Sequence, residues 1–357
     1  MKIGIVPSYS ITAYKQVSAF PKDKITTLGI TDRTTEFHTS YDEFLLYCAQ
    51  PSLTRIMVGT KDTLDLMVCH TEPIIPAVVA KEFGHKTVVV VSDLEMVRSL
   101  QPNPVEAKVL SQADGIVYAN ESFKDHVENK FGIKTTTNTT VGTLYVSKKD
   151  YCQPTTKQGG IVYQGSIIPP TADTRFGHRY YDKLLDTFGE FGLPVDIIPS
   201  PFSVVAGHLE FYKRKYGLRT KRFHLSLGSG WEVEKPLVKI HPSLSFRRML
   251  EAAGEFHWGF MGIDYENSYL DRVMPHKVFD YMAAGVPMIA MNCSHAAEFI
   301  EKEGIGIAVK SVKEIKERYD EWEECQKNLL AVREKWAMEN HIDKVINVFE
   351  NAINGGK

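Results

Sequence analysis

The sequence has no excess of either charge. Its 42 lysines and arginines against 44 aspartates and glutamates leave a net charge of −2. That excludes a surface built as a general coat for nucleic acid. Cysteine is scarce, 5 in 357 residues, and no CxxC pair occurs, so neither a zinc ribbon nor a disulfide framework is signalled. No stretch approaches the run of about 18 uncharged apolar residues that reads as a membrane span. The opening MKIGIVPSYS carries one lysine and no long apolar run, unlike a secretory leader. The expectation is a cytoplasmic protein with reduced thiols. DxD and HExxH are absent, and no GxGxxG follows a strand. The expectation is therefore no essential metal and no nicotinamide cofactor. The 12 histidines are dispersed, without ligand spacing.

What is present is ordinary for a globular chain: 43% apolar and 24% charged residues, with length for two domains at about 150 residues each. Short β-branched runs at Lys2 to Val6, Leu66 to Cys69, Thr87 to Val91 and Gly115 to Tyr118 alternate with helix-length segments, among them Ile75 to Phe83, Pro104 to Gln112 and Ser122 to Phe131. Continuous apolar strands suit a parallel sheet buried on both faces, and the alternation predicts βαβ units. Around 149–160, KDYCQPTTKQGG is linker chemistry. Alternation then resumes with a strand at Ile161 to Tyr163 that closes on Gln164-Gly165-Ser166. The predicted fold is α/β, two Rossmann-like doubly wound domains facing across a cleft. Their expected limits are 1–155 and 156–330, with a C-terminal helix in 331–357 packing back toward the first domain. Ligands of such sheets bind beyond the carboxyl ends of strands, so candidate residues are sought there.

The most informative stretch is Met274-Pro-His-Lys-Val-Phe-Asp-Tyr-Met-Ala-Ala-Gly-Val-Pro-Met-Ile-Ala290. Pro275 marks a helix start, Gly285 its end, and Pro287 blocks continuation. Lys277, Asp280 and Ala284 fall on one face. A surface Lys277–Asp280 ion pair is the bland reading, worth about 0.2–0.5 kcal/mol. Yet a cation in the first turn opposes the helix dipole at a cost of roughly 0.3–1 kcal/mol. It fits better if an anion sits at the opening, where free N–H groups hold phosphate. Asp280, one turn further in, could accept hydrogen bonds from ribose hydroxyls.

PHKVFDYMAAGVPMIA resembles the motif that lines the sugar-nucleotide site of GT-B glycosyltransferases. The preceding Glu255 to Phe260 and the following Ala297-Glu298-Phe299-Ile300 through Gly304-Ile305-Gly306 resemble that motif's flanks. Ala113 to Val117 resembles the last strand of the family's acceptor domain, and Tyr163-Gln164-Gly165-Ser166-Ile167 the opening strand of its donor domain. The resemblance implies a glycosyltransferase that moves sugar from a nucleoside-diphosphate sugar to an acceptor hydroxyl. It implies Lys277 on the diphosphate, Asp280 on the ribose, and Gly165 with Ser166 admitting backbone to the phosphates. Two departures are visible. Asp280 stands where the family usually has Glu, and Arg272 stands where the retaining branch with paired glutamates would have one. Stereochemistry is therefore not carried over.

Further donor-side candidates are Arg175 and His178 after Gly165-Ser166, Ile240 at a strand end, Asp264 and Tyr265 ahead of the motif, and His276 beside Lys277. Arg175 could clamp phosphate. An inverting transfer needs a base for the acceptor hydroxyl. Asp93, His70 and Glu72, each just past a strand, are the candidates; Asp93 could equally cap a helix. Asn120 and Glu121 could contact acceptor or simply cap a helix. The acceptor class stays open among saccharide, lipid-linked sugar, small molecule, protein and modified DNA, and the sequence is silent on oligomeric state. Alternative readings are a non-catalytic nucleotide-sugar-binding or scaffold protein and a GT-B-fold sugar-nucleotide epimerase.

Overall fold

The structure is a computed structural model that describes residues 1–6, 11–29, 58–70, 75–92, 94–142, 144–170, 180–200, 208–216, 220–223, 233–236, 238–265 and 269–355. The chain divides into two units, one of Met1–Lys149 with Lys335–Lys357, the other of Asp150–Glu334.

Among the described residues, the first unit holds β1 (Lys2–Val6), β2 (Thr26–Gly29), β3 (Leu66–His70), β4 (Thr87–Val91), β5 (Gly115–Tyr118) and β6 (Thr139–Val141), in the order β2-β1-β3-β4-β5-β6. Every pairing is parallel. All five residues of both β3 and β4 are buried, as strands covered on both faces must be. The terminal helix Ile342–Asn354 lays Val345, Val348, Phe349 and Ala352 against Ile3, Ile5, Val68, Val88, Val90 and Val117. Phe349 meets Phe20 edge-on at 5.9 Å. Each such buried side chain stabilises by roughly 1.5–3 kcal/mol. The helix expected from Ser122 begins at Glu121 instead, because Asn120 is the better-placed cap: its Oδ1 accepts the Phe123 N–H at 2.9 Å.

The second unit carries β7 (Ile161–Gly165), β8 (Val195–Pro199), β11 (Val238–Ile240), β12 (Trp258–Gly262), β13 (Met288–Met291) and β14 (Gly306–Val309) in one sheet, ordered β11-β8-β7-β12-β13-β14. These pairings too are all parallel. β9 (Thr220–Phe223) and β10 (Val233–Pro236) form a separate antiparallel ribbon. The strand order reverses between β7 and β12, the point where doubly wound sheets hold ligands. Where the chain enters and leaves this unit it is tied to itself. Tyr151 O–H donates to the Arg333 carbonyl at 2.9 Å, Arg333 Nη1 donates to the Cys152 carbonyl at 2.8 Å, and the guanidinium lies 5.2 Å from the Tyr151 ring centre.

Candidate functional site

The helix His276–Ala284 is buried from Val278 to Ala284, which explains why its sequence is nearly all apolar. Pro275 is the residue before the helix, with φ −64° and ψ 141°, and its own side chain offers no cap to the first turn. The Val278 N–H turns back onto the Pro275 carbonyl at 3.1 Å, and the N–H groups of a first turn carry the positive end of the helix dipole. At the other end Gly285 takes φ 75° and donates back to the Met282 carbonyl at 3.1 Å, the left-handed cap its sequence position predicts.

Tyr281 pins this helix to the sheet. Its hydroxyl accepts the Gln164 backbone N–H at 3.0 Å and faces the carbonyls of Val162 and Phe260, each at 3.1 Å. Burial pushes its phenol well above the ordinary range, so it stays a neutral hydrogen-bonding group. The helix opening is thereby set against the carboxyl end of β7, one side of the switch point. Gly165 there adopts φ 136°, and a methyl group added to it would lie 3.1 Å from Lys277 Cε and 3.2 Å from Nζ. Only glycine allows strand end and lysine to approach this closely. The Lys277 ammonium also lies 5.0 Å from the centre of the Tyr163 ring. Tyr163 O–H donates to the Ser166 carbonyl at 2.8 Å, and the hydroxyls of Ser166 and Ser200 are 2.8 Å apart.

The Lys277–Asp280 ion pair does not form. Among the described residues Lys277 contacts no carboxylate, while Asp280 accepts a hydrogen bond from Gln164 Nε2 at 3.0 Å and is only 2% exposed. The spacing that put both side chains on one helix face is satisfied, but Asp280 turns toward β7. The result, among the described residues, is a cation without a carboxylate partner at a helix start that Pro275 gives no side-chain cap, beside a glycine that exposes backbone. Such a place favours an anion. The same ammonium lies near Cys293, whose thiol burial pushes up to about 12, so Cys293 is no counter-ion at neutral pH.

The other expected residues are distributed as follows. Gly165, Ser166, His276, Lys277 and Asp280 are gathered at the end of β7 and the start of the helix. Asp264 and Tyr265 follow β12 and are exposed. Ile240 ends β11, separated from β7 by β8, hence about 10 Å away across the sheet. Arg175, His178, Asp93 and Glu72 lie outside the described residues. His70 ends β3, beside β1, where the strand order of the first unit's described strands reverses. It is 2% exposed, its ring nitrogens have no hydrogen-bond partner among the described residues, and burial lowers its pKa to about 3. An imidazole so placed is held neutral by its burial. Four residues of the second unit's site were not anticipated: Tyr163, Gln164, Ser200 and Tyr281. Tyr281 stood inside the motif, but its hydroxyl's role across two strands has no sequence signal. Among the described residues, no group of three His, Cys, Asp or Glu side chains is placed to hold a metal ion.

The chain thus holds two Rossmann-like units, the architecture that solved GT-B glycosyltransferases share. Residues 258–346, which contain this helix, match the family model of the glucosyltransferase 3-like C-terminal domain. The sequence matches no curated protein. The chain is similar to the solved structure of sucrose-phosphate synthase from Thermosynechococcus elongatus, with a TM-score of 0.69 at 10% identity over 99% of this chain and 100% of that one. It is similar to Anabaena HepE in complex with UDP-glucose, with a TM-score of 0.61 at 10% identity over 97% and 99% of the two chains. Trehalose 6-phosphate synthase from Burkholderia multivorans gives 0.58 at 11% identity over 99% and 97%. At these identities the likeness is one of fold. Among the described residues, no helix is long and apolar enough to cross a membrane.

Proposed function

We propose that the chain is a GT-B glycosyltransferase that moves a sugar from a nucleoside-diphosphate sugar to an acceptor hydroxyl. The observation that carries this reading is Lys277, an ammonium that meets no carboxylate among the described residues, beside Gly165 at the opening of the helix. The match of 258–346 to a glucosyltransferase 3-like domain supports it, and the HepE complex with UDP-glucose makes a uridine diphosphate sugar the donor to try first.

Breaking the bond between sugar and diphosphate leaves negative charge on the departing phosphate. Lys277 and the amides of the first helical turn meet that charge as it develops, in a site where they need not reorganise. Gly165 lets the phosphates approach the chain. Lys277→Ala should weaken UDP-glucose binding by more than about tenfold, near 1.4 kcal/mol, as read by calorimetry. Wild-type affinity in this variant would remove Lys277 from the site. Transfer itself is checked by following UDP release with and without a panel of hydroxyl acceptors. Acceptor-dependent release is the expected result; binding without release would favour the scaffold reading, and acceptor-independent release of an altered sugar the epimerase reading.

A further inference from the structure

We propose that Gln164, rather than a carboxylate, reads the ribose hydroxyls of the nucleotide, and that Asp280 is a positioning residue acting through it. This rests on the donor reading above.

Asp280 is one turn beyond Lys277 on the helix, about 4.5 Å along its axis at 1.5 Å per residue. That step suits a pentose attached to a phosphate held at the opening. The Asp280 carboxylate, however, is 2% exposed and spends one oxygen on Gln164 Nε2 at 3.0 Å. Gln164 is the partly exposed member of the pair. It is the residue immediately before Gly165, so its side chain belongs to the strand end that meets Lys277. Both of its fixed points come from one helix: Asp280 holds the amide nitrogen, and the Tyr281 hydroxyl holds the backbone N–H at 3.0 Å.

The chemistry of the pair decides how the amide faces. A carboxylate accepts, so it orients the amide with nitrogen toward Asp280 and Oε1 away. One Nε2 hydrogen is used. Among the described residues the second hydrogen and Oε1 have no protein partner. An outward carbonyl oxygen next to an outward N–H can accept from one hydroxyl and donate to its neighbour. That pattern fits a vicinal diol such as the ribose 2′ and 3′ hydroxyls, whereas a carboxylate could only accept from both. The shorter Asp280, standing where the resemblance leads one to expect Glu, is thereby accounted for: an additional side chain fills the space between carboxylate and ligand.

The test compares three probes, UDP, 2′-deoxy-UDP and inorganic pyrophosphate, by calorimetry on the full chain. Wild type should bind UDP roughly fivefold or more tighter than 2′-deoxy-UDP. Gln164→Leu and Gln164→Met should bring that ratio near unity while leaving pyrophosphate affinity within about twofold, which also shows the variants folded. Asp280→Ala should lose the discrimination as well, and Asp280→Asn, which still offers an acceptor to Gln164, should keep most of it. The relay is overturned if both Gln164 variants retain the wild-type ratio, or if Asp280→Ala collapses the ratio and Gln164→Leu does not. Wild type that binds neither UDP nor pyrophosphate overturns the donor reading itself, and the relay with it.

Discussion

At the scale of single residues, the second unit's site depends on a backbone conformation as much as on a charge. Gly165 combines φ 136° with a lysine Nζ 3.2 Å from where a β-carbon would sit. Gly165→Ala should therefore cost about 1–3 kcal/mol of stability through backbone strain, and it should push the Lys277 ammonium aside. Urea denaturation together with UDP titration would register both effects; unchanged binding would mean that the ammonium has room elsewhere. His70 makes a pH prediction. Its folded pKa is about 3 against an ordinary 6.5 because it is desolvated. Above 6.5 it is neutral in both states and adds no pH dependence. As pH falls below 6.5 the unfolded chain takes up a proton that the folded chain refuses, so stability declines by up to roughly 1.4 kcal/mol per pH unit, until the folded group titrates too. The difference in melting temperature between pH 7.5 and 5 should thus be smaller in His70→Leu than in wild type. An equal difference in both would show that His70 protonates freely in the folded chain. Lys277 was legible in the sequence because a cation in a first turn is unusual. The Gln164–Asp280 bond was not, since it joins positions 116 residues apart and neither residue's local pattern names the other.

At the scale of secondary-structure elements, the sequence was clearest where physics leaves least choice. TVVVV at Thr87–Val91 has no polar face to offer, so it had to be a strand covered on both sides, as it is. The helix before Gly285 had a proline at one end and a glycine at the other, and its limits were readable to within a residue or two. Elements without such marks escaped. β6 is only three partly buried residues, TTV, and reads as a polar turn. β14, GIAV, is too short for periodicity to separate it from the run before it. The helix over Ile342–Asn354 shows the reverse, an amphipathic pattern visible from sequence whose docking face is set by the strands it covers. Phe349→Ala should remove about 3–5 kcal/mol of stability by opening a cavity against Phe20 and the sheet. A loss under about 1 kcal/mol in denaturant unfolding would mean that this helix contributes little to the first unit.

At the scale of the whole molecule, two α/β halves were expected because the alternation of strand and helix starts afresh after the linker at 149–160. The structure has two units, each with a parallel sheet of six strands among the described residues. The second unit is an insertion: the chain leaves the first unit after Lys149 and rejoins it at Lys335. The bonds among Tyr151, Cys152 and Arg333 bring the two ends of that insertion together. During synthesis on a ribosome, this arrangement imposes an order. All of Asp150–Glu334 emerges before the terminal helix that covers β3, β4 and β5 exists, so the half made second is the half able to finish folding first. The earlier half must wait with an apolar sheet face uncovered, and a nascent chain stalled short of Lys335 would be the one a chaperone holds.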